Sequence, residues 1–346
     1  MSAPAQVLVT GACGFLGRAI CQELDAQGYQ VHALLRPQSD RRVLDGTRSC
    51  HVPGDLMDPD SLQRAAQHVF EASSSTSPPW LVHNAAALGY RRRDALLQQA
   101  VNVEGTANIF LAARQARFTR ALHVSSVVTV GHAEREESVT EETGWNAGSL
   151  PVEYVQTKRE AEEKVLALSN ELDVRIVNPG AIFGPGGEKG NTSKLLIALA
   201  QGKLGPVVPP GGMSVVGVED TARGVRLALE RGRRGARYIL TDEFLCTRDL
   251  CERAVACMRL RGIAAKVPLL SVPRSLWPVA IAAARVLEWF HEPRLTTSRA
   301  LRMVRPDWRA SSERAREELG WRPTSFDRVL GETLDDLEAL GLLVSN

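Results

Sequence analysis

Tyr154 and Lys158 stand four residues apart in a stretch with helical patterning, so a phenol and an ammonium share one face of a helix. A free phenol titrates at about 10 and transfers protons poorly at neutral pH. A nearby cation stabilises the phenolate and brings that value toward the working range, which makes the pair an acid–base device. Taken alone, such a pair is more often an idle surface contact. Ser125-Ser126 changes the weighing. It ends an upstream apolar run, where a hydroxyl can hydrogen-bond a substrate oxygen on which charge develops.

A second cluster opens the chain. Thr10-Gly11-Ala12-Cys13-Gly14-Phe15-Leu16-Gly17 follows the apolar run 6–10 and leads into a helical pattern. Gly11 permits a sharp turn, Gly14 removes a side chain where a pyrophosphate must approach, and Gly17 lets the helix pack close to the sheet. The helix's free N–H groups and positive end then face the phosphates. The arrangement predicts a dinucleotide site. An NAD site offers a carboxylate about 20 residues beyond the glycines. Here that place is held by Leu34-Leu35-Arg36, with Arg41 and Arg42 shortly after. A guanidinium suits a 2′-phosphate, so NADP(H) is favoured over NAD(H). The competing reading has Arg36 stack on the adenine, which either cofactor allows. Asp55-Leu56 offers a carboxylate for the adenine edge, and a helix N-cap at Asp55 or Asp58 is the equal alternative.

These groups need a scaffold. Apolar runs at 6–10, 29–35, 80–83, 121–125 and 174–177 alternate with helical patterns at 18–27, 62–70, 101–114 and 152–172. Such alternation argues for an α/β fold of the Rossmann type, a doubly wound parallel sheet with helices on both faces. After Asn178-Pro179-Gly180 glycine and proline become dense and the alternation fades. The segment 214–218 with 221–230 reads as one more βα unit. Residues 1–180 therefore form the cofactor-binding domain, with 214–240 returning to its sheet. Residues 181–213 and 241–346 form a smaller, mostly helical C-terminal lobe for substrate. The polar stretch 71–79 reads as a surface loop without chemistry.

With 346 residues, 44% hydrophobic and 24% charged, the chain can bury a large core. A formal net charge of +2 gives no footing for a nucleic-acid partner. Six cysteines lie scattered without a CxxC or a Cys/His cluster at metal spacing, so no metal is expected and the thiols read as reduced and cytoplasmic. No signal peptide is evident. The apolar segment 269–290 is interrupted by Pro273, Arg274, Pro278, Arg285 and Glu288, too often to form an integral membrane span. It reads as a partly buried helix or lid, or more sharply as a surface touching lipid.

In these motifs the sequence resembles the extended branch of the short-chain dehydrogenase/reductase superfamily, of the NAD-dependent epimerase/dehydratase type. Further matches are Asn84-Ala85-Ala86, Asn102-Val103-Glu104-Gly105-Thr106, Val124-Ser125-Ser126, Asn178-Pro179-Gly180, Ile182-Phe183-Gly184-Pro185-Gly186, Val218-Glu219-Asp220-Thr221-Ala222 and Glu318-Leu319-Gly320-Trp321-Arg322-Pro323. Within the branch it is most similar to dihydroflavonol-4-reductases and 3β-hydroxysteroid dehydrogenases. The resemblance implies that Tyr154 donates the proton in carbonyl reduction. Lys158 would activate it and hold the nicotinamide ribose, and Ser126 would orient the carbonyl. Gly11, Gly14, Phe15, Leu16, Gly17, Arg36, Asp55, Leu56, Asn84, Ala85, Ala86, Ser125, Pro179, Gly180, Ile182 and Phe183 would line the cofactor groove. Asn102 is as readily structural as catalytic. A homodimer is compatible with the branch, although no residue points to one.

Departures narrow the reaction. The sugar dehydratases of the branch carry an Asp-Glu pair after the catalytic Ser/Thr, whereas this chain reads Val127-Val128-Thr129-Val130. The leading expectation is a ketone–alcohol reductase or dehydrogenase acting on a hydrophobic, cyclic or secondary-metabolite-like small molecule. One alternative is a sugar-nucleotide epimerase that retains NAD and grips a diphosphate through Arg223, Arg226 or Arg294. Another is a non-catalytic NADP-binding sensor, though relatives of that kind lack the complete Tyr–Lys pair. His132 reads as a loop residue and Cys13 as packing. Trp277, Trp289 and Phe290 read as core more readily than as pocket.

Overall fold

Strand β1 (Gln6–Thr10) is buried at every position, as expected of a strand covered on both faces. Val7 and Val9 point into one apolar cluster with Ile20, Leu24, Val225 and Trp321, while Leu8 points into another with Leu62, Ile109 and Phe110. The two-residue period of a strand thus divides the core between the sheet's faces.

The computed structural model describes residues 5–74, 77–134, 136–290 and 297–343. After β1 come β2 (Gln30–Leu35), β3 (Cys50–Pro53), β4 (Trp80–His83), β5 (Arg120–Val124) and β6 (Asp173–Pro179). Then follow β7 (Ala181–Phe183), β8 (Val207–Val208), β9 (Gly212–Gly217), β10 (Arg237–Leu240), β11 (Glu243–Cys246), β12 (Leu270–Ser271) and β13 (Asp307–Trp308). Seven of them form a parallel sheet in the order β10-β6-β5-β4-β1-β2-β3. The order reverses between β1 and β4, and a doubly wound sheet binds ligands at the carboxyl ends of the strands flanking such a reversal.

Helices α1 (Phe15–Ala26), α2 (Pro59–Ala72), α3 (Asp94–Gln98), α4 (Gly105–Gln115) and α5 (Glu153–Ala167) connect the first strands. A π-helical turn, Gln99–Glu104, joins α3 to α4. The stretch read as loop from 71 begins two residues later, since α2 runs to Ala72, and residues 75 and 76 lie outside the described ones.

The segment 214–240 divides differently from the sequence reading. β10 joins the large sheet beside β6, but β9 belongs to a second, four-stranded sheet with β7, β11 and β13. The hinge is Gly180, whose N–H still donates to Leu240 in the large sheet before the chain continues as β7. A Cβ at Gly180 would stand 2.3 Å from the Ser214 carbonyl oxygen, so only glycine allows the two sheets to meet there. Helices α6 (Asn191–Ala200), α7 (Val218–Arg231), α8 (Thr247–Leu260), α9 (Trp277–Leu287), α10 (Ser298–Met303), α11 (Glu313–Glu318) and α12 (Phe326–Ala339) complete the chain. α6, α8 and α12 share an apolar cluster over the second sheet, and α7 packs on the large one. Among the described residues no helix is long and apolar enough to cross a membrane.

Candidate active site

The glycine loop lies at the carboxyl end of β1. Gly11 has φ +66°, and a Cβ there would strike Ala85 at 2.8 Å. At Gly17 it would stand 2.0 Å from the Gly11 carbonyl oxygen, so this glycine serves the fold of the loop itself, in addition to helix packing. Gly14 is the N-cap of α1, with no capping side chain and no acid in the first turn. The helix end is thus free to meet an anion, and the loop fits a pyrophosphate. Thr10 Oγ1 accepts from the N–H groups of Asn84 and Ala85 at 3.2 Å, and Asn84 Nδ2 donates to the Gly11 carbonyl, so β4's end is tied to the loop. Ala86 is exposed beside them.

At the end of β2, Leu35 is buried and Arg36 is exposed, its guanidinium without a partner among the described residues. Arg42 is engaged by Asp40. The N-cap of α2 is Asp58, bonded to Ser61. Asp55 instead accepts from the Met57 N–H, and Leu56 is buried against Gly105.

Tyr154 and Lys158 occupy the first two turns of α5. Tyr154 is half-buried with the Ser126 hydroxyl beside it, while Lys158 is buried and donates from Nζ to the Val124 carbonyl at 2.8 Å. Burial pushes Tyr154 up, and the opposing influence is the Ser126 hydroxyl. Lys158 itself is driven down to about 8 by burial, against the attraction of the Glu162 carboxylate. Its ammonium turns to a backbone carbonyl inside the sheet. Ser126 caps the short turn Val127–Thr129, and Ser125 turns inward to Thr129 at 3.2 Å.

Comparison with known proteins agrees with this geometry. Residues 7–240 match the model of the NAD dependent epimerase/dehydratase family. The chain belongs to that family. It is accordingly a nicotinamide-dependent enzyme of the extended short-chain dehydrogenase/reductase type. It is 32% identical over 344 residues to sterol demethylase protein B of Methylococcus capsulatus, covering 97% of this chain and 99% of that one. It is 28% identical over 339 residues to the 2-alkyl-3-oxoalkanoate reductase of Stenotrophomonas maltophilia, covering 92% and 94%. The solved structure of gox2253 superposes with a TM-score of 0.83 at 30% identity, over 99% of each chain.

Other residues of this epimerase/dehydratase-family chain fall into place around the pair. Asn102, in the π-helical turn, exchanges hydrogen bonds with both backbone groups of Ala87 and donates to Thr157, which ties the β4 loop to α5. Pro179 ends β6, and Ile182 and Phe183 lie in β7, Phe183 stacked edge-on with Phe326 in the second lobe's core. His132 packs against Trp308 and Cys13 lies half-buried in the loop. Trp277 is core, but Trp289 and Phe290 are exposed, contrary to the reading of all three as core. Arg223 bonds Asp220 and Arg226 bonds Glu23 and Glu230, so both are occupied within their own surroundings; Arg294 lies outside the described residues.

Sequence reasoning missed two groups. Tyr90, Trp145, Leu150, Tyr154 and Met303 all pack on one apolar cluster with Val127 and Val128, which gives the Tyr154 phenol an apolar setting. Its residue types carry no spacing signal, because they come from four distant segments. Beneath the pair, buried Glu162 accepts from Thr129 at 2.6 Å, Asn178 at 2.9 Å and Arg237 at 3.2 Å. Glu162 follows Lys158 by one helical turn, and that i,i+4 spacing was the available clue.

Proposed function

We propose that this chain interconverts a ketone and a secondary alcohol on a hydrophobic small molecule, with NADP(H) favoured as the nicotinamide cofactor. The observation that carries the reading is the meeting of Tyr154 and Ser126 beside an apolar flank of Tyr90, Trp145, Leu150 and Met303. When bound, the cofactor supplies or accepts the hydride. Ser126 orients the carbonyl oxygen by hydrogen bonding, and the Tyr154 phenol delivers the proton to that oxygen. Lys158 holds a positive charge one helical turn away, which favours the phenolate once the proton has left. Gly11, Gly14 and Gly17 keep the backbone open for the pyrophosphate, while Asn84, Ala85, Pro179 and Gly180 border the groove. Arg36 is an exposed cation at the end of β2, suited to a 2′-phosphate.

The names of the relatives are in keeping with this class, since one is a sterol demethylase component and another an oxoalkanoate reductase. Of the arginines that could grip a sugar diphosphate, Arg223 and Arg226 are already paired, and Arg294 lies outside the described residues. Tyr154→Phe keeps the ring and removes the proton. Cofactor affinity should survive while turnover on an accepted ketone falls roughly 10²–10⁴-fold. Turnover within a few-fold of the parent removes Tyr154 from the mechanism. Interconversion of UDP-sugars without net loss of NADPH or NADH would replace the reductase reading with that of an epimerase.

A further inference from the structure

But for Arg285, α9 is apolar throughout, a composition that in a globular protein belongs to a fully buried helix. Only one stripe is buried here, Trp277, Ile281 and Ala284. The opposite stripe, Leu276, Val279, Ala283, Val286 and Phe290, faces outward and is continued by Leu287 and Trp289. Val279 is 67% exposed, Trp289 83% and Phe290 85%. Among the described residues they form an uncovered apolar face, where soluble surfaces normally break such patches up. At 11 residues the helix is about 16 Å long, far too short to span a bilayer but suited to lying in its interface.

Two further observations say what covers this face. The face carries a cation of its own: exposed Arg285, in the last turn of α9, has no acidic partner among the described residues, while the nearby carboxylate of Glu288 is bonded to Ser298. Arg302 adds charge beside Arg285. The helix is also joined to the catalytic centre. Trp277 Nε1 donates to Leu301 of α10 at 2.8 Å, and Met303 of the same helix packs in the cluster that contains Tyr154. Thr297 donates to the Tyr90 carbonyl at 2.8 Å, and Arg299 pairs with Glu153, the residue before Tyr154.

We propose that α9 with Trp289 and Phe290 docks on a phospholipid surface bearing anionic headgroups, so that an apolar substrate passes from the bilayer beneath α10 to Tyr154. The substrate half rests on the reductase reading above; the docking half does not. Trp289 and Phe290 enter the headgroup–acyl boundary, where aromatic side chains anchor well, and the cations meet the headgroups.

The test sediments the full chain with vesicles of phosphatidylcholine containing about a third phosphatidylglycerol, and with phosphatidylcholine alone. The parent should bind the anionic vesicles, more weakly at high salt. Val279→Asp with Phe290→Ser should lower the partition coefficient at least about tenfold. Its melting temperature and its NADPH oxidation with a water-soluble ketone should stay unchanged. Arg285→Glu should selectively reduce binding to the anionic vesicles. No vesicle binding by the parent, or equal binding by the apolar variant, overturns the proposal. So does a parent that self-associates through this face without binding lipid, becoming monomeric in the variant. If vesicle binding follows these expectations but no ketone is reduced, docking stands and the reductase reading fails.

Discussion

Lys158 should destabilise the fold at neutral pH, and removing its charge should show by how much. An ordinary lysine titrates at 10.5, and burial brings this one to about 8. At pH values below 8 both the folded and unfolded chains carry the proton, and the folded chain bears the full cost of burying the charge. Between about pH 8 and 10.5 the folded chain loses the proton first, so the unfolded chain binds more protons and stability rises with pH. The difference corresponds to roughly 3 kcal/mol at 1.36 kcal/mol per pH unit. Lys158→Met keeps an unbranched apolar stem, one atom shorter, and removes the charge. It also forfeits the hydrogen bond to Val124, worth about 1 kcal/mol. The variant should therefore be more stable than the parent by about 2 kcal/mol at pH 7, and the advantage should vanish by about pH 10. Urea unfolding of both proteins at several pH values, compared as differences, isolates this group from the other thiols and phenols. A variant less stable than the parent at pH 7, by an amount independent of pH, would show that the lysine is well accommodated and the reasoning wrong.

Three further outcomes follow from the site. Leu35→Asp with Arg36→Ala should move the NADPH/NADH ratio of kcat/KM toward NADH by at least about tenfold, since a charged hydrogen bond is worth roughly 1.5–3 kcal/mol; a parent that already prefers NADH refutes the electrostatic argument. Gly17→Ala should cost about 1–3 kcal/mol in thermal unfolding and weaken cofactor binding in a fluorescence titration, because its methyl would lie 2.0 Å from the Gly11 oxygen. Ser126→Ala should leave cofactor affinity alone and lower kcat about 10–100-fold, and a pH–rate profile should shift its phenol limb upward because the Ser126 hydroxyl holds the Tyr154 pKa down.

Local chemistry made the cofactor half of the molecule legible. Gly11, Gly14 and Gly17 are sequence neighbours with a fixed backbone task, and the apolar runs at β1, β4 and β5 announce strands buried on both faces. Tyr154 and Lys158 share one helix, so their relation survives folding intact. Other relations depend on chain reversal. Tyr90 meets Tyr154, and Glu162 meets Arg237, only after distant segments are brought together, which no spacing encodes. β9 reads like a strand of the large sheet, yet the switch at Gly180 draws it into a second sheet. Electrostatic direction was equally hidden. Tyr154 and Lys158 are one turn apart, but the lysine's ammonium prefers Val124, and burial then dominates both titrations.

The π-helical turn at Gln99–Glu104 gives this architecture a point at which length itself becomes a variable. A π turn holds one residue more than an α turn in nearly the same rise, so deletion of a single residue would restore an unbroken helix. The downstream half, α4, is locked to the sheet by Ile109 and Phe110 and would keep its phase. The upstream half would then rotate by about 100° per residue removed. That half carries Gln98, which donates to the Gly89 carbonyl next to Tyr90. An indel of one residue here would thus move the Gly89–Tyr90 segment and the Asn102 tie to Ala87 together, so the flank of Tyr154 and the edge of the glycine-loop groove share one adjustable joint.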